Sequence, residues 1–261
     1  MPFMRTLRIY ALWFSFSLAL APGAPAQTSS TNAAPAAASQ ENSNSFKDPF
    51  AEENKTAKPA EKVSDPLEPL NRFFFKVNDK FYFWLLKPAA QGYGKVVPQP
   101  ARSGINNFYK NVKFPVRFAN NLLEGRFKAV GIETSRFLLN STVGLGGLMD
   151  PARQELHFEA QPADFDQTLG VYGIGHGPYL CWPVVGPCSV RGTVGLAGDT
   201  MLSPWTYSDS WTVSFGVPAF DVLNGASLRI GDYEMLKKGA LDPYVSFRSA
   251  YFENRRGLIN P

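Results

Sequence analysis

Apolar positions follow three regimes along this chain. Ile9 to Ala21 is one apolar run, relieved only by two serines. Gln27 to about Ser64 almost lacks them, with Phe46, Phe50 and Val63 as the sizeable exceptions. From Glu68 onward they recur with a helical period. That period predicts a helix from Glu68 to Leu86, ended by Pro88, which can neither donate nor fit inside a helix. A turn-rich stretch follows from Gln91 to Pro100, then a short helix near Ile105 to Lys110. Pro115 suits the first turn of a helix reaching Leu123, where Gly125 breaks it. Another helix spans Arg126 to Ser141 and stops at Gly144, Gly146 and Gly147. Further helices are expected at 164–171, 189–201, 217–238 and 242–255. The last has Asp242 as N-cap, Pro243 at its first position and Gly257 beyond its end. Few segments alternate as strands do, and no internal repeat is visible, so the fold class is mainly α.

The first helix sharpens the picture. Arg72, Lys76, Asp79 and Lys80 lie on one side; Phe73, Phe74, Val77, Phe81, Trp84 and Leu85 cover a broad opposite side. Aromatic bulk opposite Lys and Arg fits a helix lying in a bilayer interface, and these residues are candidates to face a membrane. The same pattern also fits an ordinary core helix, and the segment alone leaves both readings open.

The N-terminal regimes have their own meaning. Arg5 and Arg8, the short apolar run, and Ala24-Pro25-Ala26 read as a secretory signal over residues 1–26, cut before Gln27. The run is shorter than the roughly 20 residues of a membrane span. Residues 27–64, rich in Ala, Ser, Asn, Pro, Glu and Lys, bury too little to fold and read as a disordered linker. Residues 65–261 form the folded domain. Removing the signal lowers the net charge from +4 to about +2, too weak and dispersed for nucleic acid. With 21 Phe, 10 Tyr, 5 Trp and only 18% charged residues, the aromatic excess points to a surface against something apolar. Export favours a disulfide between Cys181 and Cys188 over two free buried thiols. Two cysteines and the distant His157 and His176 lack metal-ligand spacing, so no metal site is expected.

Catalytic patterns are weak. Gly170 to Pro178 has the glycines of a phosphate loop but lacks a Gly-Lys-Ser/Thr ending, and Pro178 removes a donor where a helix should begin. Tight turning explains those glycines better. There is no Gly-x-Ser-x-Gly elbow. His176 has Asp164 and Asp166 upstream without inferable orientation, which leaves open a triad assembled from distant residues.

Five stretches in order carry a resemblance. They are Asp65-Pro66-Leu67-Glu68 with Asn71-Arg72; Val97-Pro98-Gln99-Pro100-Ala101-Arg102 through Asn107-Phe108; Arg136 to Gly147; Thr168 to Tyr179 with Pro183; and Asp242-Pro243-Tyr244 with Arg248, Ala250, Tyr251 and Phe252. Together they resemble the MlaA/VacJ family over nearly the whole folded part. The resemblance implies a single ring-like domain of amphipathic helices with a central channel, at the periplasmic side of a Gram-negative outer membrane. It implies transport of misplaced phospholipid from the outer leaflet to a soluble periplasmic lipid carrier, association with a trimeric porin, no cofactor, and no enzymatic chemistry. A structural porin-associated role and a lipid-acting hydrolase are the alternatives.

By the same resemblance, Asn107 and Phe108 match a pair linked to control of the channel. Gly144, Leu145, Gly146 and Gly147 match a flexible hairpin beside it. From the residues alone, Phe108 reads as core and the glycines as a helix stop. The chain departs from the family in three ways. No cysteine precedes Cys181, so the family's N-terminal lipid attachment is not expected. The linker is long. Gly192 follows Arg191 where the family commonly has Asp, so an ion pair is expected to be missing, with the cysteine pair as its replacement.

Overall fold

The structure is a computed structural model, and it describes residues 65–259; the expected signal and linker lie outside the described residues. Helix α1 spans Glu68–Phe81, a π-turn Tyr82–Leu86, α2 Lys87–Val96, α3 Gln99–Val112, α4 Phe114–Leu123 and α5 Phe127–Thr142. Short α6 (Pro151–Gln154) and α7 (Phe165–Val171) precede a hairpin of β1 (Tyr179–Trp182) and β2 (Gly186–Ser189). Then come α8 (Val190–Leu202), a 3-10 turn (Pro204–Tyr207), α9 (Trp211–Leu228), α10 (Asp232–Gly239) and α11 (Pro243–Ile259). The fold is mainly α, as the hydrophobic period predicts.

The contacts close a ring. Helix α1 meets β1, and α2 meets α9; α9 meets α3, which meets α4 and α5. Helix α4 meets α7, α7 meets α8 and α11, and both of these return to β2. No helix among the described residues is long and apolar enough to cross a membrane.

Several boundaries differ from the sequence reading. Pro88 does not end the first helix. Its ring crowds the carbonyl four residues back, at Trp84, and the wider π-turn lies across that position, so helix resumes at Lys87. The stretch 91–100 is not turn-rich: α2 runs to Val96 and α3 starts at Gln99. Packing overrides the low helix propensity of Gly92 and Gly94, since Tyr93 stacks edge-on against Phe220 of α9 and donates to Asn224 at 3.0 Å. The helix expected over 217–238 is two, parted at Gly231 with φ +106°. Gly257 sits inside α11 rather than after it.

The β-hairpin is absent from the sequence reading, because two four-residue strands are too short to show alternation. Asparagines of α1 complete its edge. Asn71 donates to the Tyr179 carbonyl (3.0 Å) and accepts from the Cys181 amide (2.9 Å); one face along, Asn78 donates to Trp182 O (2.8 Å) and accepts from Val184 N (2.6 Å). Each side chain stands in for a neighbouring strand.

The expected disulfide is not formed: Cys181 and Cys188 are free, buried thiols. Cys181 is paired with Pro187 and Cys188 with Leu180. Directly opposed residues share a face and neighbours alternate, so the two thiols leave opposite faces of the ribbon. Cys181 Sγ meets Asn78, while Cys188 Sγ contacts Ser189 O and Thr193 Oγ1.

The distribution of polarity is inverted relative to a water-soluble bundle. Asn71, Asn120, Asn121, Glu133, Asp166, Gln167, Thr168 and Asn224 are almost wholly buried, whereas Trp84, Phe127, Tyr207 and Trp211 are each more than 70% exposed. On α5 the buried positions are Ala129, Glu133, Arg136 and Asn140, with Phe127 and Leu138 outward. Most polar atoms of these buried amides are paired, Asn121 Oδ1 and Gln167 Oε1 excepted. Asn120 donates to Val116 O (2.9 Å) and Asp199 (3.0 Å) and accepts from Thr168 (2.9 Å); Asn121 donates to Arg117 O and to Gln161 O (3.1 Å).

Candidate functional site

Helical spacing builds a polar cavity on the inner side of this ring. Asn107, Lys110 and Asn111 lie three and four residues apart, on one face of α3. Arg136 and Asn140 do the same on α5. With Arg117 of α4 and Asp150 they line a small polar cavity. Its arginines are fixed in place. Arg117 Nε pairs with Glu133 at 2.7 Å and its other arm donates to Lys110 O at 2.7 Å. Arg136 pairs with Asp150 at 2.9 Å and also donates to Phe158 O. Asn140 donates to Asp150 (2.9 Å), and Glu133 accepts from Gln161 N (2.7 Å).

The glycine turn borders this cavity, packed on two of its lining residues, Asn107 and Asn111. Leu145, Gly146 and Gly147 have φ of 52°, 71° and 95°, a run of left-handed backbone that strains the leucine. The turn rests on α3: Asn107 donates to Leu148 O at 3.4 Å, and Gly147 lies against Asn111. Asn111 in turn donates to Ser141 at 2.9 Å. Phe75, Phe81, Leu86, Val184, Val222 and Phe247 line much of a second cavity, which is apolar.

The motif-bearing ends of the chain meet. Asp65 accepts from Tyr244 and from Arg248 (2.7 Å), while Arg72 pairs with Asp242 at 2.8 Å. The first and last of the five stretches are therefore joined in the fold. A model of the MlaA lipoprotein family matches residues 63–257. This chain belongs to the MlaA lipoprotein family. It is 34% identical over 214 residues to the intermembrane phospholipid transport system lipoprotein MlaA of Haemophilus influenzae, covering 79% of this chain and 84% of that one. The Escherichia coli protein of the same name is 32% identical over 204 residues, 76% and 79% of the two chains. A solved structure from work on the structural basis for maintenance of bacterial outer membrane lipid asymmetry superposes with a TM-score of 0.67 at 33% identity. It covers 76% of this chain and 100% of its own.

Within this MlaA fold the sequence-selected residues are placed unequally. Asn107 and the turn 144–147 come together at the polar cavity. Phe108 is not core: it is 42% exposed, edge-on to Tyr109. Of the membrane-facing candidates, Phe73, Trp84 and Leu85 are exposed, whereas Phe74 and Phe81 are half-buried and Phe81 lines the apolar cavity. Lys110, Asn111, Arg117, Arg136, Asn140 and Asp150 were missed. The signal for them was a polar stripe at helical spacing on helices that are otherwise apolar.

The suspected triad is not assembled. His176 Nδ1 contacts Gly177 O and its ring lies against Phe252, while Asp164 and Asp166 pair with Arg255 and Arg191. The ion pair expected to be missing at Arg191 exists: Asp166 supplies it at 2.6 Å, from α7. Gly192 leaves no room for an aspartate, since a Cβ there would stand 2.7 Å from Tyr251 Oη and 3.0 Å from Cys188 Sγ. No cluster of His, Cys, Asp and Glu suited to a metal occurs among the described residues.

Proposed function

We propose that this protein is a non-enzymatic component of intermembrane phospholipid transport. It takes mislocalised phospholipid from the outer leaflet of the outer membrane through an amphipathic channel and passes it to a soluble periplasmic lipid carrier. The observation that carries this reading is the pairing of a polar cavity and an apolar cavity inside a helical ring whose outward side chains are aromatic and aliphatic. A diacyl phospholipid needs both environments at once: hydrogen-bond partners for its head group and dry contact for its tails. The exposed Phe73, Trp84 and Leu85 seat the ring in the periplasmic side of the membrane, with a trimeric porin as neighbour. Asn107, Phe108 and the turn 144–147 control passage, because the strained turn borders the cavity. Moving a lipid makes and breaks no covalent bond, so no cofactor is needed.

The test is fractionation of the protein from its native envelope, with lipid analysis of the purified material. Recovery with outer membranes, carrying intact diacyl phospholipid, is the expected result. A lipid-free protein in the soluble periplasm would sink the reading, and turnover of phospholipid to lysolipid would replace it with a hydrolase.

A further inference from the structure

Lys110 differs from the other cations of the polar cavity. Arg117 and Arg136 are each held by a carboxylate, Glu133 and Asp150. Among the described residues, no carboxylate lies within salt-bridge distance of the Lys110 ammonium. Its side chain is exposed to solvent at the mouth of the cavity. Desolvation by the surrounding protein is the main cause lowering its pKa; Arg229, Arg153 and Arg136 push the same way and Asp150 opposes them. The neighbouring Arg117, Arg136 and Arg153 are each paired with a carboxylate, which leaves the Lys110 ammonium as the unmatched charge at the cavity mouth. An unmatched ammonium favours an anion. Asn107 and Asn111, on the same face, each use one amide hydrogen on Leu148 O and Ser141 Oγ, and each amide carries a second.

We propose that Lys110 is the contact for the phosphate of a phospholipid head group seated at the mouth of this cavity, with Asn107 and Asn111 as neighbouring donors. The assignment rests on the transport reading above and names the group within it that recognises the head group. Arg117 and Arg136 are neutralised by their partners. Lys110 therefore supplies the free charge. Its side chain makes no ion pair in the fold, so replacing it leaves the ring intact.

The experiment uses the full chain in detergent micelles and measures binding of three probes: dioleoyl phosphatidylglycerol, dioleoylglycerol and inorganic phosphate. The variants are Lys110→Gln and Lys110→Arg, each checked for an unchanged Tm. Phosphatidylglycerol binding to Lys110→Gln is expected to weaken about tenfold, the size of one charge-assisted hydrogen bond. Binding of dioleoylglycerol, which has no phosphate, should stay the same, and Lys110→Arg should restore the phospholipid. Equal phosphatidylglycerol binding by wild type and Lys110→Gln overturns the head-group assignment and leaves the transport reading standing. Equal losses on both lipids overturn it as well. Inorganic phosphate that binds through Lys110 while phospholipid binding ignores it overturns the lipid as the source of the phosphate. A wild type that binds neither lipid overturns both readings.

Discussion

Gly147 stands on Asn111: a Cβ built at the glycine would lie 2.7 Å from both Cβ and Nδ2 of the asparagine. The turn bordering the polar cavity is thus held to α3 by a contact that admits only glycine. Gly146, one residue earlier, also has positive φ but faces open space. Gly146→Ala should destabilise the protein by about 1 kcal/mol, from backbone strain alone. Gly147→Ala should cost clearly more, because Asn111 must move. Thermal unfolding in detergent checks this, and equal shifts for the two variants would show that the contact is loose. Proline at either position is a poor probe of the turn, since it locks φ near −65° and removes a used N–H, such as Gly147 N to Asn140 O at 2.7 Å.

Glu133 is fully buried between Arg117 and Arg136 and also accepts from Gln161 N. Glu133→Ala leaves the largely buried Arg117 guanidinium without its carboxylate, while Arg136 keeps Asp150, and should destabilise by about 3 kcal/mol. Denaturant titration in micelles would read the loss. A cost under about 1 kcal/mol would mean that water satisfies Arg117.

Burial, with Asp164 nearby, pushes the Asp199 carboxyl up to about 7 from its ordinary 3.8. The folded state therefore holds a proton that the unfolded state gives up between those values. Asp199 contributes most stability below pH 3.8 and loses it as pH rises to about 7, then stays level. Asp199→Asn keeps an oxygen for Asn120 and for Phe165 N, and should flatten the Tm profile over that window. A profile unchanged by the substitution would assign the pH dependence to other groups.

Burial raises the thiols of Cys181, pushed up to about 12, and Cys188. Thiolate is the reactive form, so both should resist iodoacetamide at neutral pH in the native protein. Unfolding without any reductant should expose two alkylatable thiols. None, with a mass lower by the two hydrogens of a disulfide, would reinstate the bridge.

Helix existence was legible in the sequence wherever apolar residues kept a helical period, as in 127–142 and 190–202. Exit signals misled at Pro88 and Gly257, where tertiary packing and a π-turn carried the helix onward. The cysteine pair misled because spacing of seven positions says nothing about which face of a ribbon each occupies. Half of the candidate site was visible: Asn107 and the glycine turn through their family resemblance. The cations were hidden because Lys110, Arg117 and Arg136 look like ordinary surface residues. Only the folded arrangement brings the three to one cavity.

The inverted polarity has a thermodynamic consequence. With amides inside and Trp84, Phe127 and Trp211 outside, much of the apolar surface that normally drives collapse is buried only when amphiphile covers it. Detergent or lipid then behaves as a ligand of the folded chain. The melting point becomes a binding isotherm, rising with the concentration of surfactant that wets the ring, and a single Tm has no meaning apart from the solvent that surrounds it.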